Sequence, residues 1–161
     1  MNKTSIEYNG LKAGLFVFIG LLAFFLIMKA IGMVHNLELR ALNLLIMAGG
    51  VYYAIKSISK RNPDFDYLKG MGTGLLTAIS SSLAFALFNM IYLMAINPDF
   101  MDEIRETEPF SEYLNPFSVA IVILMEGISS GVLLSFGFMQ WFKNRGNKDF
   151  IKEKTKEEES N

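Results

Sequence analysis

Hydrophobic residues in this chain come in four long runs rather than at the spacing of a one-sided helix or a strand. The first covers residues 13–34 and is interrupted only by Lys29, and the second lies between Arg40 and Lys56, where 15 uncharged residues stand in a row. The third extends from Gly70 to Pro98 without a charge, and the fourth, Phe117 to Phe142, holds a single one, Glu126. A bilayer core of about 30 Å takes about 20 largely apolar residues in a helix. The second run reaches only about 22 Å, so it has to borrow Leu39 and the Ser57-Ile58 end or thin the bilayer locally. Runs of this length do not fit the core of a small soluble protein, and no two-residue alternation marks a membrane barrel. The pattern predicts an all-α integral membrane four-helix bundle, up-and-down, with spans at about 13–34, 40–58, 70–97 and 117–142. In such a bundle the first and fourth helices are neighbours. Ala30-Ile31-Gly32 leaves open that the first span is a cleaved signal sequence, but the apolar stretch is long for one and Lys29 sits where cleavage sites are neutral.

The segments between the runs orient the bundle. Two basic residues precede the first span (Lys3, Lys12), four lie between the second and third (Lys56, Lys60, Arg61, Lys69), and six follow the fourth. The opposite side holds Lys29, Arg40 and Arg105, so positive charge places both termini in the cytoplasm. Tyr8, Tyr52, Tyr53, Tyr67, Trp141 and Phe142 on the inner side, with Tyr92 and Tyr113 on the outer, fall at headgroup level. In the outer loop, residues 98–115, Asn97-Pro98-Asp99 reads as a helix start, and Phe100, Met101 and Ile104 recur at helical spacing. A short extracytoplasmic amphipathic helix ending near Pro109 is expected there. Its acidic residues (Asp99, Asp102, Glu103, Glu106, Glu108, Glu112) against Arg105 form a solvated face or a site for a cation or basic partner. Residues 143–161 form a charged cytoplasmic tail whose Lys143, Arg145 and Lys148 suit anionic headgroups, and from Lys152 onward it should be disordered or a frayed helix end.

Lipid tails give helices no hydrophobic reason to associate, so small residues that permit close approach must do it. Gly70, Gly74, Ala78, Ser82 and Ala86 recur every fourth residue in the third span, and Gly127, Gly131 and Ser135 in the fourth. The first span opens with Gly10 and Gly14, and the second holds Ala48, Gly49, Gly50 and Ala54. Such stripes pack the helices of one chain or join two copies of it.

Composition narrows the chemistry. The chain has 161 residues with 52% hydrophobic, 19% charged, one His, no Cys and a formal net charge of −1. Without Cys there is no disulfide, thiolate nucleophile or cysteine-ligated metal, and one His cannot build a two-histidine metal motif. His35 with Glu38 is at most half of a metal site, and a hydrogen bond at the rim of the span is the simpler reading. Gly127-Ile128-Ser129-Ser130-Gly131 has the letters of a hydrolase nucleophile elbow but lies inside a span, with the His on an earlier helix. Gly70-Met71-Gly72-Thr73-Gly74 lacks both the spacing and the preceding strand of a phosphate loop. No cofactor, metal or nucleic acid is indicated, and no enzymatic activity is expected.

Glu126 is the most informative residue, because a carboxyl about 14 Å inside a span is costly unless paired, hydrated or protonated. Lys29, Asn89 and Asn43 fall in the same outer half of the membrane, so a Lys29–Glu126 pair bridged by Asn89 is a candidate polar site. Protonated Glu126 with Lys29 snorkelling outward, a structural ion pair, and a working proton or cation site all remain open.

The layout resembles a small bacterial integral-membrane family catalogued as domain of unknown function 4199. The residues that carry the likeness are Gly10 and Gly14 at the entry to the first span and Lys69-Gly70 after the basic linker. The Ile91-Tyr92 exit of the third span, running into Asn97-Pro98-Asp99-Phe100 and an acidic helix, completes it. It covers roughly Tyr8 to Lys143 and implies four spans in a bacterial inner membrane, with no activity or catalytic residue attached. The expectation is an inner-membrane protein, surrounded by lipid, that acts through helix or loop contacts with a membrane partner or with itself as a homodimer. The alternative is a small transporter or ion-coupled permease that uses Glu126.

Overall fold

A computed structural model describes residues 5–32, 37–61, 65–107 and 113–159 of the chain. Ser5 caps the first helix, its Oγ accepting from the backbone N–H of Tyr8 at 3.2 Å, so α1 (Ile6–Ala30) starts well before the apolar run. It ends against Gly32, whose φ of +71° is the left-handed conformation that a glycine takes without strain. Helix α2 (Leu37–Arg61) contains an apolar stretch of 20 residues, Ala41–Lys60, which reaches about 30 Å at helical rise. The helix runs on without a break through Ser57 and Ile58, and Lys56 within it lies 5.4 Å from the ring centre of Tyr52.

Asp66 opens α3 (Tyr67–Ile91), its carboxylate accepting from the Lys69 N–H at 2.7 Å. One wider turn follows at Tyr92–Ile96, where the Asn97 N–H reaches back five residues to the Tyr92 carbonyl at 2.9 Å. Asn97 then caps the short α4 (Asp99–Thr107) by accepting from Phe100 N–H at 3.3 Å. A reciprocal cap starts α5 (Pro116–Glu159): Ser118 N–H donates to Asn115 Oδ1 at 2.9 Å, and Asn115 N–H donates to Ser118 Oγ at 2.8 Å. Beyond its apolar stretch α5 continues as helix to Glu159, where the sequence pattern pointed to disorder or fraying; Lys and Glu are strong helix formers, and nothing in the segment breaks the helix.

All described regular structure is helical, and α1, α2, α3 and α5 are each long and apolar enough to cross a membrane. In cross-section the four form a rhombus: α2 and α3 touch across its short diagonal, and α1 and α5 each pack against both of them. This corrects the expectation that the first and fourth spans are neighbours, since α1 and α5 occupy the far corners. The reason lies in α3, which carries small residues on two faces. Toward α5, Gly70 meets Met139, Gly74 meets Ser135, Ala78 meets Gly131 and Ser82 meets Gly127. Each step of four along α3 is answered by a step of four back along α5, as an antiparallel pair requires. Toward α1 the pairing is parallel, with Gly10 on Leu76 and Gly14 on Ser80 and the Thr77 carbonyl. Against α2, Gly50 receives the side chain of Val17 from α1.

Several hydroxyls in this core donate back to their own helix. Thr73 Oγ1 donates to the Lys69 carbonyl at 2.8 Å, Thr77 to Thr73 at 2.9 Å, and Ser81 to Thr77 at 2.8 Å. They remain small without carrying a bare donor. Around them Val17, Leu21, Met47, Val51, Ile55, Phe85 and Met139 fill the interior, while Leu15, Phe16, Ile19, Leu133 and Phe136 face outward as a lipid-facing surface would.

A methyl at Gly131 would overlap Cβ of Ala78, whereas one at Gly49 meets nothing within 4 Å. Gly131→Val should therefore destabilise the purified protein in detergent by about 1–3 kcal/mol. Gly49→Ala should be neutral or slightly stabilising, and denaturation by titrated SDS, followed by circular dichroism, reads both.

Candidate functional site

The four polar side chains singled out in the spans lie in four separate places. Lys29, in the last turn of α1, is folded over the α4 end of the bundle, its Nζ 3.5 Å from the ring centre of Phe100 and 5.5 Å from that of Tyr92. Phe25 stands one turn earlier on α1, edge-on to Phe85, Phe88, Tyr92 and Phe100 with ring centres 5.3 to 6.3 Å apart. The ring faces carry partial negative charge, so the ammonium sits where they attract it, and the aromatic cluster holds α4 down by Phe100 and Met101, both buried. Arg105 closes the far side of α4, with Nε and Nη2 each donating to the Leu114 carbonyl at 3.1 Å and Nη1 to Asp102 at 3.2 Å.

Asn89 lies buried in α3 and uses Nδ2 on the Phe85 carbonyl at 2.9 Å, a bond within its own helix. Asn43 on α2 has its Oδ1 enclosed without a hydrogen-bond partner. Glu126 is exposed on the outer surface of α5, with no ion pair or hydrogen bond among the described residues. The structure does not bring Lys29 and Glu126 together: one belongs to α1 and the other to α5, at opposite far corners of the rhombus. Glu126 is turned outward because its neighbour Gly127 is the residue locked against Ser82, and adjacent helix positions point about 100° apart. Where an interior ion path would run, Val51, Ala54, Ile55, Thr77 and Ala78 are packed to zero exposure.

Of the packing residues, Gly70, Gly74, Ala78, Gly127 and Gly131 all fall in the α3–α5 contact. Ser129 lies in unbroken helix and faces outward, so the G-x-S-x-G letters form no elbow. Gly70 to Gly74 is likewise a turn of α3 rather than a loop. His35 and the side chain of Glu38 fall outside the described residues, as do Glu108, Glu112 and the side chain of Glu103 in the acidic segment.

Two polar contacts between helices escaped the sequence reading. Ser57 of α2 donates to Asn9 Oδ1 of α1 at 3.2 Å, and Thr77 Oγ1 of α3 donates to the Gly10 carbonyl at 3.3 Å. Asn9 precedes the expected start of the first span, and only its place beside Gly10 could have signalled it. At the same end an open pocket of about 430 Å³ lies among Phe65, Tyr67, Met139 and Phe142, with Asp66 and Lys143 beside them. Asp66 is already engaged as the cap of α3.

The Lys29–Phe100 contact can be measured. A double-mutant cycle with Lys29→Met and Phe100→Leu should return a coupling of about 0.5–2 kcal/mol. Limited proteolysis of the segment around α4 should quicken in either variant, and strict additivity would remove the cation–ring contact from the account.

Comparison with known proteins fits this architecture. Searches of curated proteins and of solved structures return no match. A family profile described as Protein of unknown function (DUF4199) matches residues 9–144, a stretch that takes in nearly all of α1, the whole of α2, α3 and α4, and the apolar part of α5. The chain is an integral, multi-pass membrane protein and belongs to that family.

Proposed function

We propose that this protein works by contact within the membrane rather than by catalysis or transport, and that the contact is made through the outward face of α5. The observation that carries the reading is the uneven covering of the helices. Only 11% of the most apolar stretch of α5 is buried, against 39% for α3, although α5 is the helix with a carboxyl in mid-span. A helix whose only task was to complete a four-helix core would turn such a group inward to a partner or lack it. The chemistry that an enzyme or permease needs is dispersed instead, with Lys29 engaged by aromatic rings, Asn89 by its own helix, and Glu126 outside.

Localisation is part of the same proposal. The setting is a bacterial cytoplasmic membrane, and twelve of the 15 basic residues fall on the side of the termini, which supports both ends inside and α4 on the far face. Reporter fusions at Asn36 and within residues 100–112 should give the extracytoplasmic signal, and a cytoplasmic signal from either would reverse the orientation.

The contact itself is tested by a photo-crosslinking amino acid placed at Met125 or Leu133, both outward on α5, and at Leu15 or Ile19 on α1 as controls. In intact membranes the α5 positions should give a discrete protein adduct and the α1 positions only lipid. Equal behaviour of the two helices would end the contact reading.

A further inference from the structure

We infer that the occupant of the α5 surface is a second copy of this chain, docked so that the Glu126 carboxyls of the two copies meet across a two-fold axis along the membrane normal. The inference rests on the contact reading above and names its partner. Glu126 lies ten residues inside the span that begins at Pro116, about 15 Å deep. Its side chain is too short to reach water from there, its own chain offers it no donor among the described residues, and hydrocarbon has none to give. A second copy inserted in the same orientation presents a hydrogen-bonding group at the same depth by symmetry alone. Two carboxyl groups meeting there can hydrogen-bond to one another, the O–H of one donating to an oxygen of the other, so the pair is self-complementary.

The rest of the face fits a close two-fold contact. Ser129, one turn on, adds a hydroxyl; Leu133 is exposed and can pack against its counterpart; and above Gly137 nothing lies within 4 Å, so a second backbone can approach. Gln140 continues the same face toward the end of the span. The outward residues of α1 from Leu15 to Ile27 are all apolar, so the polar group singles out α5. An isologous contact of this kind closes on itself and gives a dimer.

The chain contains no Cys, so one introduced thiol reports on its own counterpart. Ser129→Cys and Gln140→Cys, oxidised with copper–phenanthroline in membranes that hold two differently tagged copies, should each give a disulfide-linked product carrying both tags at twice 18.1 kDa. Ile19→Cys on α1 should stay monomeric. In the Ser129→Cys background, Glu126→Leu should lower the yield by about tenfold, the scale of an interhelical hydrogen bond in a bilayer. Glu126→Gln keeps a donor and an acceptor and should largely retain it, while circular dichroism checks that both variants fold. If neither cysteine links two copies but the α5 photo-crosslinks still yield an adduct of another mass, the second copy is overturned and the contact reading stands. If the photo-crosslinks are also absent, both fall. Crosslinking unchanged by Glu126→Leu would overturn the carboxyl pair.

Discussion

Backbone proximity is the constraint on which this structure depends. Water expels apolar side chains into the core of a soluble bundle, but lipid does not, and the helices here associate only as far as their surfaces let them touch. Helix α3 meets that demand on two faces at once, admitting α1 at Gly10 and Gly14 and α5 at Gly127 and Gly131. Once one helix receives two neighbours so closely, the rhombus follows, with α2 filling the angle between them. The least apolar span, α2, shares the short diagonal with α3 and packs against three helices where α1 and α5 each pack against two. Hydroxyls that bond back to their own helix permit Thr and Ser to stand beside glycine, and their cost is limited to Ser82 and Ser135, whose enclosed oxygens have no partner.

The two ends of the bundle are finished differently. At the end near Ile6, polar bonds tie α1 to α2 and to α3. At the other, aromatic rings gather under α4, with a single ammonium laid on them and a guanidinium gripping the chain just before α5. The wide turn that starts at Tyr92 fits this finish: it lies between α3 and the cap at Asn97, with Tyr92 and Leu93 both buried on the cluster side.

The membrane-spanning architecture was legible because it depends on counts that the sequence states directly: four apolar runs, small residues every fourth position, and Asn-Pro at a helix start. Which helices touch was not legible. Gly70 to Ala86 and Gly127 to Ser135 announce close packing without saying against what, and the up-and-down order alone favoured an α1–α5 contact that the two-faced α3 prevents. Position along the run was likewise readable for Glu126 and Lys29, and azimuth was not. The first depends on distance from the end of a run, whereas azimuth depends on which neighbour, here Gly127, is claimed by another helix. The polar contact of Asn9 lay outside the apolar run, where hydropathy has nothing to say about partners.

The four-residue repeat of the α3–α5 contact has one more property, which concerns sliding rather than holding. Moved along α3 by one repeat, about 6 Å, α5 would set Gly127 on Ala78, Gly131 on Gly74 and Ser135 on Gly70, again small on small. The contact therefore selects the lateral distance and the facing side chains but is nearly indifferent to vertical position. The contacts that do not repeat fix the height of α5: Tyr52 of α2 against Phe138 and Phe142, and the tether at its start, where Arg105 grips the Leu114 carbonyl. The contacts that occur once thus act as the detent of a ratchet whose teeth are the ones that repeat.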